Sequence, residues 1–111
     1  MNLNVLMTLD AALDQLRSVP RNTSLFLQPI RPWTTSSTCA VVDVDDCPSI
    51  EDLPPELSHT DLVWVLPMSD VKNIVSNARM QLPSVNNTQL VAAISFYFDR
   101  DAFIDFSHLN E

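Results

Sequence analysis

Three closely spaced aspartates, Asp43, Asp45 and Asp46, form the densest group of potential ligands in the sequence. They stand at the end of a strand-like run, and several carboxylates on one loop supply the oxygen ligands that Mg²⁺ and Ca²⁺ prefer. The spacing lacks the glycine and the terminal glutamate of a calcium-binding loop, and the whole chain contains no glycine. A small metal-binding protein or enzyme that uses these aspartates is one alternative for the function, although no known motif in the sequence indicates it.

Histidine and cysteine chemistry has equally little support from spacing. Asp61 could orient His59, and Cys47 could serve as a nucleophile, but nothing in the sequence selects that pairing. There is no CxxC pair for zinc, and the absence of glycine excludes the glycine-dependent phosphate-binding loops. The spacing of Cys39 and Cys47 leaves a disulfide open, although a reducing cytosol disfavours one. We therefore expect no enzymatic activity, no metal and no cofactor.

The aspartates belong to a longer acidic segment, residues 41–61. Eight of the 14 acidic residues lie between Pro32 and Val71, a stretch without Lys or Arg. The other six acids equal the six bases in number, so this middle region accounts for the whole net charge of −8. Such a surface repels nucleic acid and attracts a basic protein. We predict that the partner-binding residues are Asp43, Asp45, Asp46, Glu51, Asp52, Glu56, Asp61 and Trp33.

The sequence is compatible with two roles for Trp33. It follows two prolines in a loop rich in Ser and Thr, where an exposed aromatic side chain could anchor a partner. A loop tryptophan also often folds back over the hydrophobic core. The sequence leaves both open, and the same choice applies to Trp64, which lies in an apolar run.

The elements that position these residues follow from hydrophobic periodicity. Thr8 caps a helix over residues 9–19 that Pro20 ends, Ser69 caps a helix that Pro83 closes, and Asn86 or Asn87 caps a helix over 88–98. The last of these is apolar nearly all round, so we expect it to be the most buried. Short β-branched runs predict strands over residues 23–28, 38–44 and 61–66, the first with both faces covered.

The predicted fold is a single α+β domain over residues 1–111, with a small antiparallel three-stranded sheet and about three helices in the order α-β-β-β-α-α. An acidic, proline-containing loop occupies about residues 45–61. Without glycine, left-handed backbone positions fall to asparagine, and the candidates are Asn22, Asn77, Asn86 and Asn87. The terminal apolar residues 103–106 should dock on the body as an edge strand or a helical turn.

Several short motifs run through nearly the whole chain: LFL at 25–27, PWT at 32–34, VDD at 44–46 and DAFIDF at 101–106. This series resembles an uncharacterised family of small acidic bacterial proteins. More loosely, the size and charge resemble the immunity proteins of contact-dependent and other polymorphic toxin systems. That resemblance implies a cytoplasmic protein that neutralises a basic, possibly nuclease, toxin domain by blocking its active site, without binding nucleic acid or membrane. An acidic regulatory adaptor is a further alternative.

Overall fold

The computed structural model describes residues 2–20, 22–46 and 53–106. The regular elements are short strands, α-helices and 3-10 turns. In chain order they are β1 (Met7–Thr8), α1 (Leu9–Asp14), a 3-10 turn (Leu16–Ser18), β2 (Thr23–Leu27), β3 (Thr38–Asp43), a 3-10 turn (Val44–Asp46), a 3-10 turn (Pro55–Leu57), β4 (Val63–Pro67), α2 (Met68–Gln81) and α3 (Asn87–Arg100). The class is α+β, as the sequence predicts.

The sheet has four antiparallel strands in the order β1-β3-β2-β4, which corrects the prediction of three. The additional strand is β1, whose Met7 pairs with Cys39 and whose Thr8 pairs with Thr38. Two residues are too few for an alternating pattern to show in the sequence, so only the pairing reveals this strand. β2 lies between β3 and β4, with a bulge between Leu25 and Phe26 on the β4 side.

Both faces of the central strand β2 are covered, as predicted. Leu25 and Leu27 belong to a large cluster formed with the three helices, while Phe26 points the other way. Phe26 packs in a second cluster with Ala40 and Val42 of β3, with Leu57 of the acidic loop and with Leu62 directly after that loop. The helices therefore lie on one face of the sheet, and part of the acidic loop forms the layer on the other.

The first helix is shorter than predicted. Thr8 does cap it, because its Oγ1 accepts a hydrogen bond from the Ala11 amide at 3.2 Å. The α-helix ends at Asp14, and the chain continues as the tighter 3-10 turn Leu16–Ser18 before Pro20. The apolar stripe stays continuous through this change, since Leu13 and Leu16 are both buried.

The other two helices keep their predicted places, with corrected ends. Ser69 lies inside α2 and does not cap it, because the helix begins directly after Pro67. Asn86 is the N-cap of α3 and forms a reciprocal capping box with Gln89 at 2.8 and 3.0 Å. The prediction that this helix is the most buried is wrong: Phe98 is 42 % exposed, and α2 buries more of its residues.

The left-handed positions differ from the predicted asparagines. Asn4 has φ of 59°, and Asp101 has φ of 54° as the C-cap of α3. Asn and Asp are the residues that tolerate this conformation best after glycine. The tail beyond α3 forms no edge strand: residues 103–105 are irregular, and Phe106 has 3-10 helical conformation. The Gln81 side chain holds the tail in place, because it donates to the Ile104 carbonyl at 2.7 Å and accepts from the Phe106 amide at 2.9 Å.

Candidate partner-binding surface

Asn4 joins two parts of the acidic segment that are distant in sequence. Its Nδ2 donates to Glu56 Oε2 at 3.1 Å, and its Oδ1 accepts from the Asp43 amide at 3.1 Å. The Asn4 amide in turn donates to the Val41 carbonyl at 2.9 Å. Glu56, on the 3-10 turn of the loop, is thereby held beside the end of β3, where Asp43 lies.

Asp45 adds a third carboxylate at this end of the sheet. It is exposed in the 3-10 turn that follows β3, and its amide donates to Asp43 Oδ1 at 3.0 Å. Asn22 Nδ2 approaches Asp45 Oδ2 at 3.5 Å. The backbone of Asp46 completes the same turn. The predicted partner-binding residues Glu51 and Asp52, together with Cys47, lie outside the described residues.

Asp61 lies at the opposite end of β3, beside a cleft of about 510 Å³ that we call the Ile30 cleft. Thr38 at the start of β3 lines this cleft, and Asp43 ends the strand five residues later. At about 3.3 Å per residue, the two ends are about 17 Å apart. The described carboxylates of the predicted set therefore form two groups at the two ends of β3 rather than a single site.

The Ile30 cleft combines exposed apolar and polar side chains. Ile30 is 70 % exposed and Leu6 is 48 % exposed, both unusual for residues of their type. The polar members of the lining are Gln28, Thr38, His59, Thr60 and Asp61. An apolar centre with a polar, acidic rim is the composition of a protein-protein contact.

Trp33 packs in the core. Its side chain is 6 % exposed and its Nε1 donates to the Gln28 carbonyl at 2.9 Å. Phe98 meets it edge-on at 5.3 Å between ring centroids, and the Arg31 guanidinium lies 4.3 Å from its ring centre. This position agrees with the interpretation that Trp33 folds back over the hydrophobic core. A partner-anchoring role requires an exposed side chain, and that of Trp33 is buried.

No group of three His, Cys, Asp or Glu side chains arranged to hold a metal occurs within the described ranges. Asp43 and Asp45 are joined through the Asp45 backbone amide. Two carboxylates alone supply fewer oxygens than the roughly six to eight that Ca²⁺ takes. Cys39 is fully buried, and burial raises the pKa of its thiol to about 12. At neutral pH this thiol is protonated and is a poor nucleophile.

Across the described part of the chain there is one ion pair, between Arg31 and Asp99 at 2.7 Å. The hydrogen bond from Arg31 lowers the pKa of Asp99, and the same bond raises that of Arg31. This pair lies at α3, and Asp45, Glu56 and Asp61 have no cationic side chain within ion-pair distance among the described residues. These three carboxylates are exposed, and no described cation compensates their charge.

The sequence did not point to Asn4, Leu6 or Ile30. Leu6 and Ile30 lie in irregular segments, where exposure has no periodic signature. Asn4 carries a weak signal, since a chain without glycine must place Asn or Asp at its left-handed positions.

Within the described ranges, no helix reaches the length and hydropathy needed to cross a bilayer.

No curated protein and no solved structure matches the chain. A family model described as a domain of unknown function, DUF7716, matches residues 6–106, from the strand before α1 to the docked tail. That match agrees with the predicted membership of an uncharacterised family, and it covers nearly the whole sequence. The chain belongs to the DUF7716 family.

Proposed function

We propose that this protein binds a basic protein through Asp43, Asp45 and Glu56 at one end of β3 and Asp61 at the other, which together we call the acidic surface. The observation that carries the proposal is the charge state of that surface. Asp45, Glu56 and Asp61 are exposed, and no described cation lies within ion-pair distance of them. In a chain with net charge −8, carboxylates without a described cationic partner produce a negative potential at this surface.

The fold holds this potential in a fixed place. Glu56 is tied to Asn4 at 3.1 Å, and the neighbouring Leu57 is buried against the second face of the sheet. In Glu56-Leu57 and Asp61-Leu62 an exposed acid precedes a buried leucine, so the leucines fix the backbone while these two acids face solvent. A preorganised surface loses less conformational entropy on binding than a mobile acidic tail would.

The Ile30 cleft supplies apolar contacts, which the carboxylates cannot make. Exposed charges speed association and select a partner of opposite sign, but they contribute little affinity by themselves. Affinity comes from a few apolar or aromatic anchors at the centre of a contact, which Leu6 and Ile30 can provide beside Asp61. The separation of about 17 Å between the ends of β3 fits a contact of standard size, about 800 Å² on each partner.

In its most specific form, the proposal is that the partner is a toxin domain and that the protein is its immunity protein. Many basic nucleases bind phosphates through clustered Lys and Arg residues, and an acidic surface can occupy the same cluster. Binding there would block the toxin's active site without any catalytic group on the inhibitor. The size, the charge and the lack of a catalytic motif support this form of the proposal.

The proposal is tested by expressing the chain with the product of its neighbouring gene and measuring co-purification and protection of growth. The variant D45N/E56Q/D61N removes three charges from the acidic surface while keeping side-chain size. The matched control N73K/S84K/A92K shifts the net charge by the same amount at exposed positions on α2, α3 and the turn between them.

We expect the neutralised variant to lose co-purification and protection while the control keeps both. If the two variants lose binding equally, net charge rather than the acidic surface decides binding. If the wild-type chain neither binds nor protects, the immunity proposal fails.

A further inference from the structure

A second cleft, of about 650 Å³, opens where the turn after α1 meets α2. Three basic side chains line it: Arg17 from the 3-10 turn, and Lys72 and Arg79 from α2. More than 50 residues separate Arg17 from the other two, so the fold brings them together. We call this region the basic cleft.

The basic cleft is locally positive, whereas the chain as a whole is negatively charged. It holds three of the six Lys and Arg residues of a chain whose net charge is −8. One carboxylate lines it, that of Asp14, which already accepts a hydrogen bond from Asn87 at 3.0 Å. Among the described residues, none of the three cations has a carboxylate within ion-pair distance. Local positive charge is therefore left uncompensated in a concave site.

Contributions to helix stability explain only in part why these three cations lie in the cleft. Arg79 lies in the last turn of α2 and Arg17 in the last turn of its 3-10 helix, where a positive charge complements the helix dipole. Lys72 lies nearer the start of α2, where the dipole disfavours a cation. Its Nζ donates to the Val19 carbonyl at 2.7 Å, which leaves two of its three N–H donors for another acceptor.

We propose that the basic cleft binds the phosphate monoester of a small molecule with an apolar substituent. A phosphate dianion matches two guanidinium groups and an ammonium group better than a monoanion does, because arginine presents a planar fork to its oxygens. Leu13, Val75 and the 82 % exposed Met80 supply apolar surface beside the cations. The cleft volume lies within the range of about 300–1,000 Å³ of small-molecule sites.

The ligand is a small molecule rather than a nucleic acid. A polymer carries many phosphates past the cleft and over neighbouring surface, and the net charge of −8 repels them. A single phosphate is small enough to contact the basic cleft alone. This site is independent of the proposed binding of a basic protein.

The test is titration calorimetry of the full chain with phenyl phosphate, inorganic phosphate and benzoate, with chloride added to keep the ionic strength constant. We expect saturable binding of phenyl phosphate, weaker binding of inorganic phosphate and the weakest binding of benzoate. The variant R17Q/R79Q should bind phenyl phosphate at least about 10-fold more weakly, since it loses two charge-assisted contacts.

The matched control is N73D/R100Q, which changes the net charge equally at exposed positions outside the cleft. It should bind phenyl phosphate as the wild type does, and thermal unfolding should show both variants folded. The proposal is overturned if none of the three probes saturates at millimolar concentration, or if the control loses as much affinity as R17Q/R79Q. Equal binding of benzoate and phenyl phosphate would overturn the assignment of a phosphate group.

Discussion

Replacing Leu57 by alanine should separate the structural role of the acidic loop from its charge. Leu57 is 2 % exposed and packs with Phe26, Ala40 and Val42 on the second face of the sheet. Its neighbour Glu56 is exposed and reaches Asn4. If the loop is a layer of the fold, the leucine is needed for stability and the glutamate is not.

The expected loss follows from the size of the cluster. A buried Leu→Ala change costs about 2–5 kcal/mol, and the cost is lower where the surroundings can close over the gap. The second cluster is small and covered by loop rather than by helix, so we expect about 2–3 kcal/mol for Leu57→Ala. With a urea slope of about 1–3 kcal/mol/M, the unfolding midpoint should fall by about 0.7–3 M.

Tryptophan fluorescence can report on each face of the sheet separately, because each face has its own tryptophan. Trp64 packs against the second cluster, whereas Trp33 belongs to the first. In a Trp33→Phe background, fluorescence reports only on the face that the loop covers. Urea unfolding of this reporter with and without Leu57→Ala, followed in parallel by circular dichroism, shows whether the loop detaches before the helices unfold.

Glu56→Gln in the same background is the matched control, one residue away and exposed. We expect it to change stability by less than about 0.5 kcal/mol, as surface substitutions usually do. If Leu57→Ala costs no more than Glu56→Gln, the loop does not form a structural layer and the acidic surface is not preorganised.

Three further predictions concern the tail, the ion pair and the apolar anchor. Gln81→Ala removes the two hydrogen bonds that hold the tail, so it should cost about 1–3 kcal/mol and speed amide exchange at Phe106, and unchanged exchange would contradict this. Arg31 lowers the pKa of Asp99, so their pair stabilises the fold at neutral pH and is lost below about pH 4; a carboxyl titration by NMR that shows no downward shift, or none abolished by Arg31→Gln, would refute it. Ile30→Ala should leave folding intact at 70 % exposure but speed dissociation of the bound partner about 10-fold, measured by surface plasmon resonance; an unchanged rate would remove the Ile30 cleft from the contact.

The periodic parts of the fold could be predicted from the sequence. Helical spacing located all three α-helices, and Thr8 and Asn86 act as caps because their side-chain oxygens satisfy free amides at helix starts. The covered faces of β2 followed from its continuous apolar run. Helix ends were less predictable, since Ser69 offers a cap but the backbone turns helical directly after Pro67.

The parts that depend on distant pairing could not be predicted. β1 exists because Met7 and Thr8 meet β3, and two residues leave no periodic signal. The burial of Leu57 could not be predicted either, because the carboxylates around it are typical of a solvent-exposed segment.

For the candidate site, composition located the charge but not its arrangement. The sequence placed the acids in one segment, while the fold divides them between two ends of β3. Exposure of Ile30 and burial of Trp33 both follow from how one irregular loop packs, which local sequence does not encode. The convergence of Arg17 with Lys72 depends on the packing of α2 beside the turn after α1.

The most direct test of the central claim is the association rate constant with the purified partner as a function of salt. The account predicts fast association at low salt, about 10⁷ M⁻¹s⁻¹ or above, that falls steeply as salt screens the acidic surface. D45N/E56Q/D61N should associate at least about 10-fold more slowly at low salt and lose most of the salt dependence, while N73K/S84K/A92K keeps it. Equal rates and equal salt dependence for the wild type and the neutralised variant would show that the partner does not bind at the acidic surface.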